Sequence, residues 1–170
     1  MTITAIDPGY RRSAVCELGA DLRTFEIETD KLALGTCFAA GEIVVIERPV
    51  AQGGMRAQNK SFAMVLEAYI HIRDAASKAG CVVYGIPCGD WRQLCGISRG
   101  SAAQDYQVEG YCRRMLGLPG MHLSICPEIP EFKKGSGSLS SKDKRDAAAL
   151  ALCFRESIKN PKSGWERWLV

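Results

Sequence analysis

The stretch "DKRDAAALAL", residues 143–152, places Asp143 and Asp146 three positions apart at the head of an alanine-rich helical run. Residues three apart on a helix are neighbours, so the two carboxylates share a face and repel unless a cation or a proton joins them. Two more acids stand at element ends: Asp7 closes the β-rich run "TITAID", and Glu47 closes the apolar run "EIVVIE". In open α/β sheets functional groups gather outside the carboxyl ends of the strands, so Asp7 and Glu47 share one edge if their strands are adjacent. Four carboxylates crowded at one point would raise one another's pKa and destabilise the fold unless hard cations neutralise them. An all-oxygen set suits Mg²⁺ or Mn²⁺. Two such ions about 3.5–4 Å apart can clamp the attacking water and the leaving oxygen of a phosphodiester. Taken singly, each acid has a plainer reading. Asp7 before Pro8-Gly9 is an ordinary turn aspartate, Glu47-Arg48 a surface ion pair, and Asp143 with Asp146 a favourable pair at the positive end of a helix. Their joint order carries the argument.

The elements that must position these acids follow from periodicity. "TITAID", "RRSAVCEL" and "DLRTFEIET" read as three strands of an antiparallel meander, divided by Pro8-Gly9 and "GAD". Ile43 to Ile46 form a continuous apolar run, as in a strand covered on both faces, and "CVVYGIP" is a second such strand. Between them, after the Gly-rich "AQGGMRAQ", Ser61 to Lys78 carries Phe62, Val65, Leu66, Tyr69, Ile70 and Ile72 at helical spacing, and Gly80 closes the run. "GDWRQLCG" fits a short helix, and "SAAQDYQVEGYCRRMLGL" a longer one with Ser101 as N-cap and Gly117 near its end. "PEIPEFKKGSGSLSSKDK" reads as a mobile loop, centred on residues 130–142. Ala147 to Ser157 makes the last packed helix, and residues 159–170, with Trp165 and Trp168, form a tail without an assigned place. The result is one α/β domain spanning residues 1–170, with a mixed five-stranded sheet, antiparallel at its beginning and parallel after it.

Composition bounds the rest. The balance of 22 Lys+Arg against 19 Asp+Glu, a net +3, neither demands nor excludes a polyanion, so local clusters matter. The N-terminal "MTITAIDPGY" has no basic stretch followed by an apolar one, so the chain is expected to be cytoplasmic and its eight cysteines reduced. Cys81, Cys88 and Cys95 form no C-x-x-C pair, so zinc is not expected and small buried thiols are. No apolar run approaches the roughly 20 residues that span a bilayer, so no membrane partner is expected.

"TAIDPG", then a hydrophobic strand ending "VVIERP", then "KDKRDAAALAL" resembles the RuvC family of Holliday junction resolvases within the RNase H-like superfamily. The middle, "YGIPCGDWRQLCGISRGSAAQDYQVEGYCRRMLGLP", is similar to the family's strand, Gly-containing turn and helix ending in Leu-Gly-Leu, so the likeness spans roughly residues 3 to 155. The resemblance implies an RNase H-like fold and a homodimeric, Mg²⁺-dependent endonuclease that nicks two strands of a four-way DNA junction symmetrically. By motif match, Asp7, Glu47, Asp143 and Asp146 are its metal ligands and catalytic residues. One departure stands out. Family members often carry a lysine shortly before the Gln-Val of the middle helix, whereas Gln104 and Asp105 precede Gln107-Val108 here. Either another base would then stabilise transition-state charge, or the substrate preference would differ.

Base-independent binding needs Lys and Arg to meet phosphates. The candidates are Arg11, Arg12, Arg48, Arg56, Lys60, Arg99, Lys133, Lys134, Lys142, Lys144 and Arg145, several of which flank the acids. Gly53-Gly54-Met55 or Phe62 would be placed to meet an unstacked base, although Phe62 reads more simply as a core residue, and the helix from Ser61 would offer a dimer face, since a two-fold substrate matches a two-fold enzyme. The alternatives are a nuclease of the same superfamily acting on flaps, forks or RNA–DNA hybrids, and a catalytically silent branched-DNA binding protein. A sugar-kinase or Hsp70-like ATPase shares the first-strand aspartate but would need a second domain and phosphate-binding Gly loops.

Overall fold

β1 (Ile3–Asp7), β2 (Arg12–Leu18) and β3 (Leu22–Glu28) pair antiparallel in the expected meander. β4 (Ile43–Arg48) lies parallel to β1 on its other side, and β5 (Val82–Pro87) lies parallel to β4, giving the order β3-β2-β1-β4-β5. The computed structural model describes residues 2–50, 60–97, 104–118 and 141–170.

Side chains alternate across a strand, and here both faces are buried. Ile3 and Ala5 of β1, Ala14, Cys16 and Leu18 of β2, Val45 of β4 and Tyr84 and Ile86 of β5 enter one core cluster. Ile6, Val15, Val44, Ile46 and Val83, one residue out of phase, enter a second. The first is covered by α3 (Cys88–Leu94), α4 (Gln104–Met115) and α5 (Ser141–Lys159), the second by α1 (Thr29–Ala33) and α2 (Lys60–Lys78). Two-sided burial explains why β4 and β5 read as unbroken apolar runs. In α5, Ala147 to Phe154 are buried all round the helix, because α5 lies between the sheet and α4. On the opposite face α2 approaches β5 closely at Gly85, where an added Cβ would strike the Tyr69 hydroxyl.

Some boundaries differ from expectation. The last helix begins at Ser141, six residues before Ala147, so the polar segment around Asp143 is helical. Residues 119–140 and the Ser101 cap lie outside the described residues, as does Gly53-Gly54-Met55. Phe62 is half-buried, and Ile70, counted in the apolar stripe of α2, is 37% exposed. The tail is placed after all. Pro161–Ser163 and Trp165–Trp168 form 3-10 turns, and Trp168 is buried. Trp165 packs against Tyr84 and Phe154, with ring centroids 5.7 and 6.4 Å away, and the Val170 amide donates to the Val83 carbonyl at 3.0 Å. Single 3-10 turns carry no helical periodicity, so only the sheet edge they cover reveals their place. The described cysteines are free; Cys16, Cys95, Cys112 and Cys153 are buried, as expected of small thiols, whereas Cys81 and Cys88 are only partly buried and Cys37 is exposed.

Candidate active site

Asp7 shares strand parity with Ile3 and Ala5, and Glu47 with Val45, so both acids project to the face covered by α3, α4 and α5. β1 and β4 pair in register from Ile3↔Ile43 to Ile6↔Ile46, and the next step sets Asp7 beside Glu47 at the carboxyl edge. The turn after Asp7 is stitched down by Thr29 at the start of α1, itself met by Ser13 of β2. Thr29 Oγ1 donates to the Gly9 carbonyl at 2.6 Å, the Thr29 amide donates to the Arg11 carbonyl at 3.0 Å, and Ser13 Oγ lies 2.9 Å from Thr29 Oγ1. A Cβ at Gly9 would meet the Arg12 carbonyl, so this tight path requires glycine.

α5 delivers the other two acids to the same point. Burial holds the Asp7 carboxyl well above its usual range, and Glu47, Asp146 and Asp143 raise it further while Arg92 opposes them. Glu47 is raised first by burial and then by Asp146, against the pull of Trp91, Arg92 and Cys88. Asp7 thus feels the charge of the other three acids named from the sequence, and Glu47 that of Asp146.

α3 contributes three residues that the sequence reading did not assign to the site. Trp91 Nε1 donates to Glu47 Oε2 at 2.8 Å, Arg92 Nη2 donates to Asp146 Oδ2 at 2.7 Å, and the Cys88 thiol lies beside Glu47 and helps to hold its pKa down. Burial, with Glu47 beside it, pushes the Cys88 thiol up to about 12, so it stays neutral next to the carboxylate. A signal was present in the sequence. The strand-end rule that singled out Asp7 and Glu47 applies equally to β5, and the residues leaving β5 are Cys88 to Arg92.

Carboxylate oxygens that raise one another's pKa form a donor set suited to a hard divalent cation. As the side chains stand, no three His, Cys, Asp or Glu among the described residues are arranged to hold a metal ion. Asp146 is turned to Arg92, and Glu47 to Trp91 and Cys88.

The basic residues divide. Arg11, Arg48 and Lys60 are exposed, and Arg12 is 43% exposed in its side chain, 3.6 Å from Glu26. Lys144 and Arg145 turn into the fold, with Lys144 Nζ 3.8 Å from Glu26 and Arg145 Nη1 3.1 Å from Glu109. Their side chains are only 11% and 15% exposed, so their charge balances buried acids instead of facing solvent. Helical phase explains this: α5 is covered on the sides where both project. Arg56, Arg99, Lys133, Lys134 and the Lys142 side chain lie outside the described residues. No helix among the described residues is long and apolar enough to cross a membrane.

No family model and no curated protein matches the sequence. Solved structures do. Thermus thermophilus RuvC in complex with Holliday junction substrate superposes with a TM-score of 0.60 at 18% identity, covering 95% of this chain and 96% of that one. A second Thermus thermophilus RuvC structure gives 0.57 at 19% identity, over 94% and 96%. With the mixed sheet, the strand order and the flanking helices, the chain has the α/β, RNase H-like fold of RuvC.

Proposed function

We propose that this protein is a metal-dependent, structure-selective endodeoxyribonuclease that resolves four-way DNA junctions by paired, symmetric nicks. The observation that carries the reading is the convergence of Glu47, Asp143 and Asp146, from an adjacent strand tip and one helix, on Asp7, whose ionisation all three make costly. Structural ion-pair networks also perturb carboxylates, but they do so with opposite charges; at Asp7 burial and three acids raise the pKa, and Arg92 opposes them. The fold neighbour solved on a Holliday junction supports branched DNA as the substrate class.

Asp7, Glu47, Asp143 and Asp146 would hold two Mg²⁺ ions, with Mn²⁺ as a substitute. When bound, the ions activate water and stabilise the leaving oxygen of the phosphodiester. The chain's own residues prepare the site. Trp91 and Cys88 orient Glu47, the Thr29 contacts hold the turn beyond Asp7, and the buried face of α5 fixes its two aspartates against the sheet. Exposed Arg11, Arg48 and Lys60 would meet phosphates, together with Arg56, Arg99, Lys133, Lys134 and Lys142. A homodimer would set two such sites across a two-fold junction.

The test is incubation with a labelled immobile four-way junction and Mg²⁺, beside a linear duplex, a flap, a fork and an RNA–DNA hybrid. Two linear duplexes released only from the junction are expected, with activity lost in Asp7→Asn. Equal cutting of forks, flaps or hybrids would make it a broader nuclease of the same superfamily, and junction binding without cutting in Mg²⁺ or Mn²⁺ would make it a silent binding protein.

A further inference from the structure

Arg92 occupies an unusual place for a structural ion pair. Its guanidinium lies among the acids proposed to bind metal, 2.7 Å from Asp146, with the two side chains 17% and 7% exposed. Lys144 and Arg145, the cations next to Asp143 and Asp146 in α5, are engaged by Glu26 and Glu109. Arg92 opposes the charge on both Asp7 and Glu47. Its own hydrogen bonding is incomplete, since Nε is buried with no hydrogen-bond partner.

The surroundings suit a side chain that moves on a fixed base. Trp91 is fully buried and tied to Glu47, while Asp90 is held by Trp168 Nε1 at 3.2 Å and lies 3.8 Å from Arg167. The backbone of α3 is thereby anchored at the two residues that precede Arg92. The guanidinium itself rests 5.0 Å above the Trp91 ring, a surface along which a planar cation can slide.

We propose that Arg92 is the resident counter-ion of the unloaded acid cluster, and that a divalent cation loads by displacing Arg92 from Asp146. Arg92 is thus a positioning residue that sets how tightly metal is held. The inference rests on the metal-site reading above. Its physical basis is that a guanidinium and a divalent ion repel strongly at this range in a half-buried site, and compete for one carboxylate. The arrangement also explains why four acids share a site whose side chains are not posed to hold metal as they stand.

The sign of one measurement tests it. Mn²⁺ binding to the metal-free full-length protein is followed by calorimetry, or by the spin-resonance signal of free Mn²⁺, in wild type, Arg92→Gln, Arg92→Lys and Asp7→Asn. Exchange predicts that Arg92→Gln binds Mn²⁺ about tenfold more tightly. Arg92→Lys, which keeps a charge but loses the fork, should lie between it and wild type. Arg92→Gln should also melt lower without metal and recover on adding Mn²⁺. A merely structural Arg92 gives the opposite sign, because its loss would disorder the ligands and weaken binding. Unchanged or weaker Mn²⁺ affinity in folded Arg92→Gln overturns the proposal. If that variant does not fold without metal, Arg92→Lys decides by the same sign. Failure of wild type to bind Mn²⁺ at all would instead overturn the metal-site reading, and the exchange with it.

Discussion

Asp7 shows what the site costs the fold. Its carboxyl is raised by burial and by three neighbouring acids, so in the folded state its charged form is disfavoured. The destabilisation is full above the folded pKa and is relieved as pH falls toward the ordinary carboxylate value, because the folded state then binds more protons than the unfolded one. Glu47 acts in the same direction. Glu156, lowered by its bond to Lys159, acts in the opposite direction, but its contribution is lost only below the ordinary carboxylate range. The metal-free protein is therefore expected to melt higher at about pH 5.5 than at about pH 8, with saturating Mg²⁺ flattening the profile. Thermal scans across that range, with and without metal, check it, and a flat metal-free profile would count against mutual repulsion. Replacing Asp7 by Asn removes a charge from the same cluster. It should raise the metal-free melting temperature by about 2–4 °C, the equivalent of about 1 kcal/mol, while abolishing cleavage. A variant that gains stability as it loses activity distinguishes a strained functional carboxylate from a turn aspartate, whose removal would destabilise.

Among the elements, α3 and the C-terminal turns form one mechanical unit. α3 presents Trp91 and Arg92 to the acids, and the turns hold α3 through Asp90 while covering Tyr84 and Phe154. Trp168→Ala would empty a buried ring site and free Asp90, at a cost of about 3–5 kcal/mol. Denaturant unfolding measures that loss, and Mn²⁺ titration of the folded fraction should show weaker binding than wild type. Across the sheet, Gly85 is where β5 and α2 come closest, and Gly85→Ala would force the Tyr69 ring away. The expected cost is about 1–3 kcal/mol, read as a shift in denaturant midpoint with unchanged slope. Because Gly85 lies on the face remote from the acids, cleavage by the folded protein should persist.

For the whole molecule, the asymmetry between sheet faces organises function. One face carries α3, α4 and α5 and the acid cluster, and the other carries α1 and α2. A two-fold dimer that leaves the acid edges open would present two sites to one junction, and light scattering is expected to show twice the mass of a single chain. With a net charge of only +3, junction affinity should depend on a few exposed groups such as Arg11, Arg48 and Lys60. Neutralising any one of them should weaken binding across all junction sequences and reduce the slope of log affinity against log salt by about one. A sequence-dependent loss would mean that the residue reads bases.

Much of this was legible in the linear chain, because period-2 and helical spacing report burial directly. The meander, the two double-sided strands and the long helix after residue 60 follow from local patterning, which also singles out the four acids proposed as ligands. The acids could be named because they end regular elements, and regular elements have predictable edges. What the chain could not show by itself was set by contacts between distant segments. That Arg92 meets Asp146 depends on α3 and α5 packing across 54 positions, and that Lys144 and Arg145 face Glu26 and Glu109 depends on which sides of α5 are covered. The tail found its place only because β5 leaves an edge for Val170 and an aromatic surface for Trp165. Local spacing determines which side chains share a face, whereas burial of charge is resolved only when the faces meet, since the partner that neutralises a buried ion is chosen by packing and not by proximity in sequence.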